Sequence, residues 1–71
     1  MNKYELKFWY TIYVGGRLPC RKLFTTQYIM ADNIESARIE ANTIMDILKI
    51  EMPRINEITV KRASILKSIL N

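Results

Sequence analysis

The sequence predicts one small α+β domain over residues 1–71, in the order β-β-α-β with a short C-terminal helix, in which one helix packs on one face of a three-stranded, mainly antiparallel sheet. Three observations carry this reading. A long aromatic and β-branched run from Tyr4 to Val14 alternates with period two, and a second alternating run follows Gly15-Gly16. Ala37, Ala41, Ile44 and Leu48 then recur at helical spacing between a capping residue and Pro53.

The first strand is read from Tyr4 to Val14, a stretch without glycine or proline. Alternation divides it into Leu6, Phe8, Tyr10, Ile12 and Val14, the expected core face, and Lys7, Trp9, Thr11 and Tyr13, the expected outer face. Gly15-Gly16 gives the backbone freedom for a turn. Arg17 to Arg21, with Pro19 lacking a donor for a central ladder, reads as a hairpin loop. The chain returns antiparallel over Lys22 to Ala31, where the pattern leaves the register open. With Leu23 and Ile29 inward, the outer face gathers Trp9, Tyr13, Phe24 and Tyr28; in the opposite register it is far more polar.

Asp32 or Asn33 caps a helix, and Asp32 with Glu35 fits a capping box. Ile34 and Met45 flank the apolar stripe, and its alanines allow close approach to the sheet. Pro53 disfavours helical geometry before it, so the helix ends near Ile50 to Met52. Ile39 and Ile50 fall on the opposite side. Ile55 to Arg62 sets Ile58 and Val60 against Thr59 and Lys61 and reads as a short edge strand. Ser64 caps a last turn or two in which Ile65, Leu66, Ile69 and Leu70 share one side, an expected oligomer interface because so short a helix is unstable alone.

Size and composition narrow the function. A domain of this length buries only about 60% of its unfolded surface, so dimerisation or a partner is the expected source of further stability. Cys20 is the only cysteine, which excludes an intramolecular disulfide and suits a reducing compartment. No charged segment leads into a long apolar run, and no apolar stretch approaches the roughly 20 residues that span a bilayer. A cytoplasmic protein with no membrane role is expected. The chain contains no histidine, which removes the commonest general base and metal ligand. The carboxylates lie mostly at helix-surface spacings, Cys20 has no partner base, and Gly15-Gly16 lacks a phosphate-loop context. The expectation is a protein without catalytic residues, metal, cofactor or small-molecule substrate.

Charge is segregated along the chain. From Asp32 to Glu51, five acids (Asp32, Glu35, Glu40, Asp46, Glu51) oppose Arg38 and Lys49, a net of −3. Elsewhere Lys3, Lys7, Arg17, Arg21, Lys22, Arg54, Lys61, Arg62 and Lys67 oppose Glu5 and Glu57, a net of +7, and the two parts sum to the whole-chain +4. A basic sheet layer under an acidic helix layer follows. If its open face shows Lys7, Trp9, Tyr13, Phe24, Tyr28 and Lys61, it joins stacking rings to phosphate-binding cations, as single-stranded DNA or RNA requires. Arg17, Arg21 and Lys22 extend that footprint from the hairpin loop.

The competing expectation is that the aromatics are covered by the terminal helix or by a second subunit in a homodimer. That leads to a protein-interaction module or small inhibitor, which meets an acidic protein surface with Trp9, Tyr13, Tyr28, Met30 and Arg17, or pairs a strand with a sheet edge. The run Ala31-Asp32-Asn33-Ile34-Glu35-Ser36-Ala37 resembles the strand-to-helix junction of many short α+β proteins, including some from phages and mobile elements. The likeness reflects capping and close packing and identifies no family. The size of the chain and its expected lack of catalytic residues are compatible with a phage-encoded accessory protein.

Overall fold

The computed structural model describes residues 1–63 and contains β1 (Asn2–Ile12), β2 (Cys20–Ala31), α1 (Ile34–Glu51) and β3 (Ile55–Arg62). The strands form one antiparallel sheet in the order β2-β1-β3, and α1 packs on one face of it. The α+β architecture predicted from the sequence is the one observed. The terminal helix expected at Ile65, Leu66, Ile69 and Leu70 lies outside the described residues.

β1 pairs on both sides, so its two faces decide which residues enter the core. Tyr4, Leu6 and Phe8 are buried on the helix side. Leu6, Phe8, Ala41 and Ile55 form the main core cluster, joined by Phe24, Ile29, Ile44, Met45, Leu48, Met52, Ile58 and Val60. Tyr4, Ala31 and Ala37 form a second cluster under the start of the helix. The two alanines predicted to bring α1 close to the sheet are both buried. Each fully buried Leu or Ile contributes about 1.5–3 kcal/mol relative to exposure, which makes these few side chains the main support of a small domain.

Asn33 caps α1: its Oδ1 accepts a hydrogen bond from the Ser36 N–H at 2.9 Å. Asn33 thus fills the cap position, and Asp32 lies before it. At the other end the Met52 N–H donates to the Leu48 carbonyl at 2.9 Å, and Pro53 follows. The first strand stops two residues earlier than predicted. The Arg17 N–H closes a turn onto the Val14 carbonyl at 2.9 Å, and Gly16 takes a φ of 73°, a left-handed conformation that glycine adopts without a Cβ penalty. Tyr13 and Val14 are therefore exposed in the loop, and Val14 does not join the core as expected. Cys20, read as a loop residue, opens β2 instead.

Two irregularities reset the faces of the outer strands. Phe8 pairs with Thr25 and Trp9 with Leu23, which leaves Phe24 as an extra residue in β2. Trp9 pairs with Glu57 and Tyr10 with Ile55, which leaves Asn56 extra in β3. Both bulges lie beside Trp9, where the sheet's twist must increase. Neither sequence register of β2 is right along its whole length. Ile29 faces the helix as in the first, but beyond the bulge Phe24 turns into the core and Leu23 shares the open side with its partner Trp9.

Among the described residues, no helix is long and apolar enough to cross a membrane. Leu6→Ala is expected to lower unfolding stability by about 2–5 kcal/mol, the usual range for emptying such a site. Leu18→Ala, at a loop residue 86% exposed, is expected to stay within about 0.5 kcal/mol of the parent. Chemical denaturation midpoints of the two variants check this ordering.

Candidate binding face on the open side of the sheet

The residues of β1 that point away from α1 are Lys3, Glu5, Lys7, Trp9 and Thr11, because they alternate with Tyr4, Leu6 and Phe8. Directly paired residues on neighbouring strands share a face. Met30, Tyr28, Thr26, Leu23 and Arg21 of β2 therefore join this side, as do Lys61, Thr59 and Glu57 of β3. Among the described residues no helix or loop covers this surface.

A set of cross-strand contacts holds it in shape. Glu5 sits at the middle of one cluster: its Oε1 lies 3.7 Å from Lys7 Nζ and 3.8 Å from Lys61 Nζ, and its Oε2 accepts a hydrogen bond from the Tyr28 hydroxyl at 3.2 Å. Lys3 Nζ lies 5.0 Å over the Tyr28 ring. A second cluster forms around Trp9. The Arg21 guanidinium lies 3.9 Å over the indole and pairs with Glu57 Oε2 at 2.8 Å. The indole N–H donates to Thr59 Oγ1 at 3.1 Å, so the polar edge of this half-buried ring is satisfied.

The face is positive despite these pairings. Lys3, Lys7, Arg21 and Lys61 stand against Glu5 and Glu57, a local net of +2, and the pairs are too exposed to lose their attraction for an outside anion. At the far end, Tyr13 is 78% exposed and borders a shallow hollow of about 450 Å³ with Thr11, Arg54 and Asn56. Tyr28 and Tyr13 lie on either side of Trp9. Tyr28, in the Glu5 row, is spaced by about 13 Å from the Trp9 row along β1, at four residues of strand rise, and Tyr13 follows the strand in the loop.

Of the residues singled out in the sequence, Lys7, Trp9, Arg21, Tyr28 and Lys61 come together here, with Tyr13 at the margin. Phe24 does not: it packs in the core because of the bulge. Lys22 pairs with Tyr10 and lies on the helix side, and Arg17 is exposed in the hairpin loop. Lys3, Glu5, Leu23, Glu57 and Thr59 join them beyond the residues expected, and Met30, expected on the protein-binding reading, lies here as well. Lys3 and Glu5 have the parity of Lys7 and Trp9; starting the strand at Tyr4 leaves Lys3 outside it, whereas Glu5 falls within it and its place on this face follows from parity. The ion pairs joining Glu5 and Glu57 to neighbouring strands had no signal in one strand's pattern.

Glu5 also raises the Tyr28 pKa above the ordinary tyrosine value, first by accepting the phenol's hydrogen bond and then by its negative charge, with a small addition from burial. Because the folded value exceeds the unfolded one, the resulting stabilisation is fully present below the ordinary tyrosine pKa and is lost as pH rises through the folded value. Glu5→Gln is expected to lower the alkaline titration of Tyr28 toward its ordinary value. NMR-detected titration of the individual tyrosine rings checks this.

No protein-family model matches the chain, and no curated protein or solved structure matches it significantly.

Proposed function

We propose that this is a non-catalytic binding protein whose open sheet face contacts single-stranded nucleic acid. The supporting observation is the segregation of charge between layers: Lys3, Lys7, Arg21 and Lys61 project from the face opposite α1, while the helix segment on the other side is net acidic. Such a molecule presents one side to a polyanion and turns the other away. The cations supply phosphate contacts, which fix position without reading sequence. Stacking positions are supplied by Tyr28, Tyr13 and the guanidinium of Arg21 carried on Trp9, since bases stack on arginine planes as well as on rings. The absence of histidine and the engagement of Glu5 and Glu57 in ion pairs support a role without catalysis. The lone cysteine supports the cytoplasm as its place of action.

An acidic protein surface is the second reading, favoured by one observation. Leu23 and Met30 are exposed on the same face, and phosphates make no use of such apolar atoms.

Fluorescence anisotropy with labelled oligo-dT and oligo-U tests the proposal, with quenching of the single tryptophan as a second readout. Binding is expected to weaken linearly in log affinity against log salt, by about 0.7 in slope for each phosphate neutralised. Lys7→Ala and Lys61→Ala are each expected to reduce that slope by about 0.7. No binding to either oligonucleotide at low salt, or binding indifferent to salt, contradicts the proposal; the second outcome favours the protein partner.

A further inference from the structure

The two edges of the sheet are not alike. β3 is short and carries Glu57, Lys61 and Arg62, the charged decoration that discourages strand pairing. β2 is the longer edge, and from Leu23 to Ala31 it contains no charge, proline or glycine. Its side chains on the open face include Leu23, Tyr28 and Met30, all exposed large apolar residues. Among the described residues its one protective feature is the bulge at Phe24, near one end of this stretch. Such an edge is a template for another strand.

We propose that β2 pairs with β2 of a second copy, antiparallel about a two-fold axis at Gln27, to give a six-stranded sheet ordered β3-β1-β2-β2-β1-β3. Gln27 is the midpoint of the uncharged stretch. Pairing about it sets Thr26 opposite Tyr28 and Thr25 opposite Ile29 of the second copy. With Phe24 counted as the extra residue, Leu23 meets Met30 and Lys22 meets Ala31. Each pair joins residues of one face, as continuous pairing requires, and exposed Leu23 and Met30 cover each other.

Charge complementarity selects a second copy as the occupant. β2 is basic at its start, at Arg21 and Lys22, and is followed at its end by Asp32. Antiparallel pairing lays the basic start of each copy beside the acidic end of the other and keeps like charges apart. Lys22 has no ion pair among the described residues. A two-fold axis perpendicular to the sheet also places both helices on one side and both open faces on the other. The positive face is thereby doubled, although the pairing does not depend on what that face binds.

Light scattering on nuclease-treated full-length protein tests the proposal independently of any nucleic acid. The expected mass is twice the 8.4 kDa chain. Gln27→Glu and Gln27→Lys set like charges across the axis, and each is expected to raise the dimer dissociation constant about fivefold. Mixing the two variants is expected to restore parental affinity, a result that misfolding does not give, and unchanged far-UV circular dichroism confirms the fold of each. Spin labels on the native Cys20 are expected about 40 Å apart, from the strand rise between the two labelled ends. A parent that stays monomeric overturns the proposal. So does a dimer indifferent to both substitutions, or one whose Cys20 labels lie within about 25 Å of each other, since strand pairing about Gln27 cannot bring them that close.

Discussion

β1 is hydrogen-bonded along both of its edges, and the period-two alternation of its side chains organises the rest of the molecule. Tyr4, Leu6 and Phe8 on one side collect the helix through Ala37 and Ala41, with Ile55 from β3. Lys3, Glu5, Lys7 and Trp9 on the other side are thereby committed to the surface opposite the helix. A one-residue slip in either flanking strand would put that strand's apolar set in water and its charges in the core. The burial of Leu6 and Phe8 thus fixes the open face as much as the core.

Within that constraint the two bulges are local adjustments with distinct outcomes. In β2, the extra residue lets an aromatic ring enter the core while Leu23 takes the place beside Trp9 on the open side. In β3, it turns Ile55 into the core and leaves Asn56 outside, where its side-chain amide donates to Thr11 Oγ1 at 3.0 Å. Both adjustments sit next to the one tryptophan, whose size and need for a donor partner at Thr59 make it the most demanding group on the sheet. The open face is therefore interlocked across all three strands. Ion pairs at Glu5 and Glu57 hold the cations in place without neutralising the surface.

The sequence made the architecture legible because the elements are locally consistent. The alternation in β1, the Asx cap, the alanine ladder and Pro53 each name an element and agree with the others. The helix ends and β3 follow directly from those signals. The face of β2 was not legible, because Leu23-Phe24 offers two apolar residues in succession and period-two reading cannot register an inserted residue. For the same reason period-two reading puts Phe24 on the open face and Leu23 in the core, the reverse of what the bulge produces. Lys7, Trp9 and Lys61 are legible from parity alone, whereas Tyr28 joins them in only one of the two registers that the pattern of β2 allows. The joining of Arg21 to Trp9 and Glu57 depends on strand order and register, which only the three-dimensional pairing supplies.

On this account the surface opposite α1 does the work and the helix is support. NMR chemical-shift mapping of isotope-labelled protein titrated with a short single-stranded oligonucleotide tests that division most directly. The account predicts shifts concentrated at Lys3, Lys7, Trp9, Arg21, Tyr28 and Lys61, with the outward residues of α1 undisturbed. Shifts confined to α1, or none at saturating oligonucleotide in low salt, would contradict it.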